Sequence, residues 1–417
     1  MLFKLKLPII FLLILLLVFI IWFSPAEAVC QRQLVTIDND ASFCNGSQIW
    51  GVSYDESTDS MYLQCWVEAA KSPVGLTGRH ILKAIRVGTD YGHFVFPSDQ
   101  SELNAINNYW SGLVRDPAQP SVINTAVGRY LFFVTGSGLP SASKIQVAKF
   151  NNSTGRWEVR VEDQFMLDYI NTAHFEGLPK LADNGYSIYF TSDYNRPCDQ
   201  CACDNYFTYL EGSCFGLFKY IRFSLTAPFI PVSQGTQILN TGYVNFIYLR
   251  NIMAYGTYFT EYSRMAAGTI SNNNWFFFNG PPRPGKIESD FDNIYQARWD
   301  GEKFVDGYNM RAINDIIGEP FKENPDVTAD GNALYWSSGP KATDTKLYYL
   351  NLTAVADMDL DGFNDCVDCN DSNAAIHPGA ADICSDGIDQ DCSGFDAVYP
   401  NCPDINTPAP PTGVIII

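Results

Sequence analysis

Histidine is nearly absent from this sequence: His80, His93, His174 and His377 are the only four in 417 residues. So few imidazoles make a His-rich zinc or copper site a poor expectation. Basic residues are also scarce, with 27 Lys and Arg against 46 Asp and Glu, for a formal net charge of −19. Such a chain is repelled by nucleic acid and by anionic lipid, so neither is an expected partner. Nucleophile elbows, zinc-protease helices, phosphate loops and dinucleotide fingerprints are missing, and no long amphipathic helical pattern appears. What is plentiful is hydrophobic and aromatic material, 46 % and 14 %, enough for a sizeable core. Cations are the natural counter-species.

Lys4 and Lys6 precede an apolar run from Leu7 to Phe23, and Ala26-Glu27-Ala28 offers small residues to signal peptidase. Residues 1–28 therefore read as a signal peptide or, if uncleaved, as an N-terminal anchor. Membrane contact is expected only through that segment, and the location is secreted or cell-surface. All 12 Cys follow it, an even number suited to disulfides in an oxidising setting. Cys198, Cys201, Cys203 and Cys214 fit either a four-thiolate zinc site or two disulfides pinning a loop, and outside the cell the disulfides are preferred. The outer clusters are odd: Cys30, Cys44 and Cys65, then Cys366, Cys369, Cys384, Cys392 and Cys402. Full pairing requires one bridge between them.

From about residue 46 to residue 352 the chain repeats itself. "PKLADNGYSIYFTS" (Pro179 to Ser192) lies over "PDVTADGNALYWSS" (Pro325 to Ser338) without gaps. Each reads as a short strand, a tight turn at Gly185 or Gly331, and a second strand. Pro120 to Val134 is a third copy. Gly51 to Cys65, Asn251 to Tyr262 and Thr269 to Asn279 are weaker ones. A further strand-like run follows the copies, as in "HILKAIRV", "SKIQVAKF", "LFKYIRFS", "DNIYQARWDG" and "KLYYLNL". Ile-Asn steps at Ile170-Asn171 and Ile313-Asn314 precede two copies. Units of about 49 residues have the size of one four-stranded blade, so the expected fold is all-β, a β-propeller of six four-stranded blades over residues 29–353. The best copies, with Pro179/Pro325, Gly185/Gly331, Ile188-Tyr189-Phe190/Leu334-Tyr335-Trp336 and Ser192/Ser338, resemble the TolB-type β-propeller repeat, whose pattern is a Pro, an Asp-Gly turn, Leu-Tyr-Phe and a Ser.

The sharpest motif is "DMDLDGFNDCVD", beginning at Asp357. Asp357, Asp359, Asp361, Asp365 and Asp368 stand at loop positions 1, 3, 5, 9 and 12, with Gly362 at the turn. Phe363 at position 7 would offer its backbone carbonyl. A calcium ion takes six to eight oxygens, and a 12-residue loop of this spacing wraps one. Asp368 is one methylene shorter than the usual Glu at position 12. A paired EF-hand is not expected, because "KLYYLNLTAVA" upstream reads as strand and the downstream stretch is too broken for a helix.

Asp357 to Gly394 resembles the MopE-type metal-binding repeat through the Asp loop, Cys366-x-x-Cys369-Asn370-Asp371, Pro378-Gly379-Ala380, Cys384 and "DGIDQDC". That resemblance implies a small disulfide-rich metal-binding module over residues 354–402. Its name points to copper, but hard Asp oxygens favour Ca2+. Asp386, Asp389 and Asp391 fit either a second ligand cluster or a turn held by Cys384 and Cys392. Residues 403–417 read as a Pro-rich, extended tail.

Two functions fit these features. One is a secreted or surface calcium-binding scaffold for a protein or polysaccharide ligand of unknown identity; this is preferred because no catalytic signature is visible. The other is an extracellular hydrolase, most plausibly of glycosides, working through carboxylates in the propeller. The insertion Asp193 to Phe215, with Asp199, Asp204, Tyr206, Tyr209 and Glu211, is the expected ligand loop. Trp275-Phe276-Phe277-Phe278 suits blade packing better than sugar stacking.

Overall fold

A computed structural model describes residues 30–44, 49–72, 74–75, 77–109, 116–136, 143–173, 175–192, 216–231, 275–280, 293–299, 304–314, 319, 321–341, 344–353, 355–378, 380–392 and 396. The signal segment, the Cys-rich insertion, the copy at Asn251–Tyr262 and the Pro-rich tail lie outside the described residues.

The first hairpin shows how local sequence sets the pattern. Tyr, Val, Leu and Trp on both sides favour extended backbone, and Asp55 closes the turn between them. Its Oδ1 accepts from the Ser57 N–H at 3.0 Å and its Oδ2 from the Thr58 hydroxyl at 2.9 Å. Twenty strands are present among the described residues. They are β1 (Gln33–Leu34), β2 (Thr36–Asp38), β3 (Ile49–Asp55), β4 (Ser60–Val67), β5 (Gly78–Arg86), β6 (His93–Val95), β7 (Ala118–Thr125), β8 (Gly128–Thr135), β9 (Lys144–Asn151) and β10 (Arg156–Glu158). The second half holds β11 (Glu176–Ala182), β12 (Ser187–Ser192), β13 (Gly216–Ile221), β14 (Ile230–Pro231), β15 (Trp275–Gly280), β16 (Asn293–Trp299), β17 (Phe304–Asn309), β18 (Phe321–Val327), β19 (Ala333–Lys341) and β20 (Asp344–Asn351).

These strands form five sheets among the described residues: β2-β6-β5-β4-β3, β10-β9-β8-β7, β11-β12-β13-β14, β15-β16-β17 and β1-β20-β19-β18. β7 lies against β3 and β11, while β18 lies against β3 and β15, so the first and last sheets meet. The fold is a β-propeller. β1 joins the last sheet, with Gln33 opposite Tyr349 and Leu34 opposite Tyr348, and so ties the start of the described chain to its final strand.

Alternation along each second strand builds the core. On β8, Tyr130, Phe132 and Val134 pack with Leu181, Ile188 and Phe190 of the third sheet. Leu131 and Phe133 point the other way, onto Tyr62 and Ile81 of the first. Likewise Ala333 and Tyr335 of β19 pack on the first sheet, and Leu334 and Trp336 on Phe277 and Ile294 of the fourth. The second and last sheets are thus buried on both faces by their neighbours, which is why two-residue alternation and high aromatic content coexist. Phe277, in the aromatic run, is core.

The expected six units are not supported. The good copies do map onto repeated hairpins: Pro179 and Pro325 onto β11 and β18, Tyr189 and Tyr335 onto β12 and β19. The Thr269–Asn279 segment supplies β15, which with β16 and β17 makes the fourth sheet, so the described residues form five sheets rather than six. The equivalence is one of propeller hairpins and does not show a TolB-type repeat.

Two repeated devices escaped the sequence reading. The innermost strands β3, β7, β11 and β18 each carry a bulge, next to residues with left-handed backbone: Gly51, Gln119, Leu178 and Asn324. Two positions later a side chain reaches the next sheet. Ser53 Oγ accepts from the Val122 N–H at 3.0 Å, Ser121 Oγ from Leu181 at 3.2 Å, and Asp326 Oδ2 from Tyr54 at 3.1 Å. The Ile-Asn steps have a second role. Asn171 bonds both backbone groups of Ile145, and Asn314 both of Ile294. Ile106-Asn107 is a third such step, on Ile81. A primary amide offers one donor and one acceptor, so it substitutes for a missing strand neighbour.

Candidate metal centre

The Asp loop follows β20 directly and turns, not a helix, follow it. Its residues Phe363, Cys366 and Val367 pack with Trp336 and Leu350 of the last sheet and with Ile313 of the short helix Arg311–Asn314. Cys30 is bonded to Cys366, across 336 residues of sequence. That is the bridge between the outer clusters which cysteine parity demanded. Cys44 pairs with Cys65, and Cys369 with Cys392. Cys384 and Cys392, which flank the turn carrying Asp386, Asp389 and Asp391, are both in disulfides, Cys392 with Cys369.

Within the loop the carboxylates divide their oxygens in a regular way. Backbone N–H groups hold one oxygen of four of the five: Gly362 donates to Asp357 Oδ2 (3.1 Å), Asp361 to Asp359 Oδ1 (3.3 Å), Phe363 to Asp361 Oδ1 (2.9 Å) and Asn370 to Asp368 Oδ1 (2.8 Å). The remaining oxygens, Asp357 Oδ1, Asp359 Oδ2, Asp361 Oδ2 and Asp368 Oδ2, are buried without a hydrogen-bond partner, as are both oxygens of Asp365. Buried, unpartnered carboxylate oxygens are costly unless a cation takes them. Gly362 has φ +97°, a conformation that L side chains rarely adopt, and this lets the chain turn back around the carboxylates.

Asp357, Asp359, Asp361 and Asp368 come together in close groups among the described residues, and Asp365 does not. Ligand oxygens of Asp359, Asp361 and Asp368 lie within 4.8 Å of one another, and so do those of Asp357, Asp359 and Asp371. Asp371 was not among the expected ligands. It sits three residues beyond the loop, outside the 12-residue spacing, and its Oδ1 accepts from the Met358 N–H at 3.2 Å. The Phe363 ring stacks on His377 with centroids 4.9 Å apart, so this imidazole packs against the loop. Burial, then the Asp371 charge, pushes the Asp365 carboxyl up to about 6, and burial first pushes Asp368 up to about 6. Crowded carboxyls that resist ionising are what a divalent cation relieves.

Asp386, Asp389 and Asp391 do not form such a group among the described residues. Asp386 spends its oxygens inside the turn, accepting from the Ile388 N–H at 2.8 Å and from Gln390 Nε2 at 2.7 Å. A third grouping, Asp368 with Cys369 and Cys392, offers no thiolate because the two sulfurs are bonded to each other. The donor set is oxygen, and it fits a hard divalent cation.

Carboxylates are also described on the inner strands of the propeller. Asp55 is paired with Arg129 at 2.7 Å, Glu176 with Lys144 at 2.8 Å, and Asp326 with Lys180 at 2.6 Å. Burial raises the Glu176 carboxyl above its ordinary range, against the lowering effect of Lys144. No helix among the described residues is long and apolar enough to cross a membrane.

Residues 368–397 match the family described as "Putative metal-binding motif", of the copper-binding MopE type. No curated protein matches the chain. Solved structures of similar fold include a GH43 endo-arabinanase from Bacillus licheniformis, 13 % identical with TM-score 0.41, covering 80 % of this chain and 99 % of that one. An α-L-arabinanase from Cellvibrio cellulosa is 13 % identical with TM-score 0.41, covering 78 % and 96 %. A member of the GH130 family of mannoside phosphorylases is 9 % identical with TM-score 0.43, covering 79 % and 96 %.

Proposed function

We propose that this chain is a secreted or cell-surface β-propeller that binds calcium through residues 354–402 and presents its propeller as a binding scaffold. The carrying observation is the set of buried, unpartnered oxygens on Asp357, Asp359, Asp361, Asp365 and Asp368. Calcium rather than copper is supported by the all-oxygen donors. The propeller's ligand would be a protein or polysaccharide outside the cell. Calorimetric melting of the full chain with calcium and with chelator tests the metal. At a free concentration 100 times Kd, calcium should add about 2.7 kcal/mol. Equal melting temperatures, or selective uptake of copper, would overturn the assignment.

A second reading, glycoside hydrolysis, rests on Glu176, a fully buried carboxyl raised above its ordinary range at the start of inner strand β11. Such a group could serve as a general acid. Its Lys144 partner and the ion pairs of Asp55 and Asp326 favour the binding reading. Release of reducing ends from a polysaccharide panel, lost in Glu176→Gln, would reverse that preference; no release from wild type would remove the hydrolase.

A further inference from the structure

We infer that Ser72 and His80 form a nucleophile–base dyad that hydrolyses small carboxylic esters, an activity separate from the Asp loop and from Glu176. Both residues belong to the hairpin of β4 and β5. Ser72 Oγ stands 2.8 Å from His80 Nε2, and His80 Nδ1 stands 2.9 Å from the Gly78 carbonyl oxygen. That carbonyl can only accept, so Nδ1 carries the proton. In the neutral ring Nε2 is then an acceptor, and the Ser72 hydroxyl donates to it. A hydroxyl on a base that a third group orients is the arrangement that activates a serine. Here the orienting group is a backbone carbonyl instead of a carboxylate.

Local structure holds both members in place. His80 lies opposite Cys65, itself bonded to Cys44, and is 2 % exposed, so little water competes for Nε2. Ser72 ends a tight turn in which the Lys71 N–H donates to the Glu68 carbonyl at 2.9 Å and the Ser72 N–H to that of Ala69 at 3.3 Å. It is partly exposed, so its hydroxyl can meet a substrate while the base stays dry. A Cβ on Gly75 or Gly78 would meet nothing within 4 Å, which leaves room beside the hydroxyl for a small acyl group. The Val74 N–H, 3.2 Å from Oγ, is a donor placed beside the carbon that Oγ would attack. This connection is the first sheet's counterpart of the insertion Asp193 to Phe215, since each joins the second and third strands of its sheet. In the reaction, Oγ bonds to the acyl carbon as its proton passes to Nε2, and the ester C–O bond breaks as the alcohol leaves with that proton. Water then attacks the acyl carbon and gives a proton to Nε2, and the bond to Oγ breaks as Ser72 takes that proton back. Ester and water become acid and alcohol, with no other reactant.

Treating the intact full-length protein with a fluorophosphonate probe, and mapping the adduct by peptide mass spectrometry, tests this. Wild type should be labelled at Ser72 and should hydrolyse p-nitrophenyl acetate. His80→Gln should slow both by about 100-fold or more, the usual contribution of a positioned base. Ser72→Ala should lose that adduct and fall to the hydrolysis rate of buffer. Far-UV circular dichroism matching wild type shows that each variant is folded. Should His80→Gln fail to fold, Ser72→Ala still decides, because it removes only a partly exposed hydroxyl. No Ser72 adduct on wild type, or labelling of folded His80→Gln at the wild-type rate, overturns the dyad. Equal hydrolysis by wild type and Ser72→Ala overturns it as well.

Discussion

Lys180→Met should cost the fold about 3–5 kcal/mol, because it strands the buried Asp326 carboxylate without its cation. Lys180 Nζ donates to Asp326 Oδ1 at 2.6 Å and to the Val52 carbonyl at 2.8 Å, so one side chain of the third sheet reaches across the ring to the first and the last. Asp326 in turn accepts from the Tyr54 N–H. Three sheets therefore meet at this pair. Asp326→Leu alone should be similarly damaging, since it leaves an ammonium unpaired. The double variant Lys180→Met/Asp326→Leu should regain most of the loss, as an apolar pair of similar volume usually does. Equilibrium unfolding in urea, read as a double-mutant cycle, measures all three. Near-neutral single substitutions would mean that solvent reaches the pair and that it does not hold the ring.

The second large effect is expected at Cys30 and Cys366. Their bond closes a 336-residue separation, and in the chain-entropy account a loop of that size is worth on the order of 5 kcal/mol. Little else holds the N-terminal strand: β1 pairs through two residues only, helped by Arg32, whose guanidinium lies 4.1 Å over the Tyr348 ring and pairs with Glu319. Cys30→Ser/Cys366→Ser should lower the melting temperature sharply under non-reducing conditions. It should also weaken calcium binding, because Cys366 sits inside the Asp loop and its backbone N–H donates to Asn364 Oδ1. An unchanged midpoint together with unchanged calcium uptake would show that strand pairing and core packing alone hold the N-terminal strand in place.

Some of this was legible in the sequence, and the division has a physical basis. The Asp loop was, because a 12-residue chelating turn is specified by local spacing: Asp at alternate positions and Gly362 where φ must be positive. The hairpins of β7-β8, β11-β12 and β18-β19 were legible for the same reason, as turn residues between runs of β-formers. Cysteine parity required a bridge between the outer clusters, but only the folded chain brings Cys30 beside Cys366. Asp371 joins the loop carboxylates because the chain after Cys369 folds back onto Met358, which no spacing rule announces. The number of sheets was overestimated because weak local similarity, as at Asn251–Tyr262, counts hairpin-like segments, whereas a sheet is defined by which strands pair, and the described strands pair into five sheets. Lys180 and Asp326 occupy equivalent positions of the two best repeats, yet similarity of sequence says nothing of two repeats facing each other. Local spacing fixes what a segment can do; the tertiary fold decides which distant segments do it together.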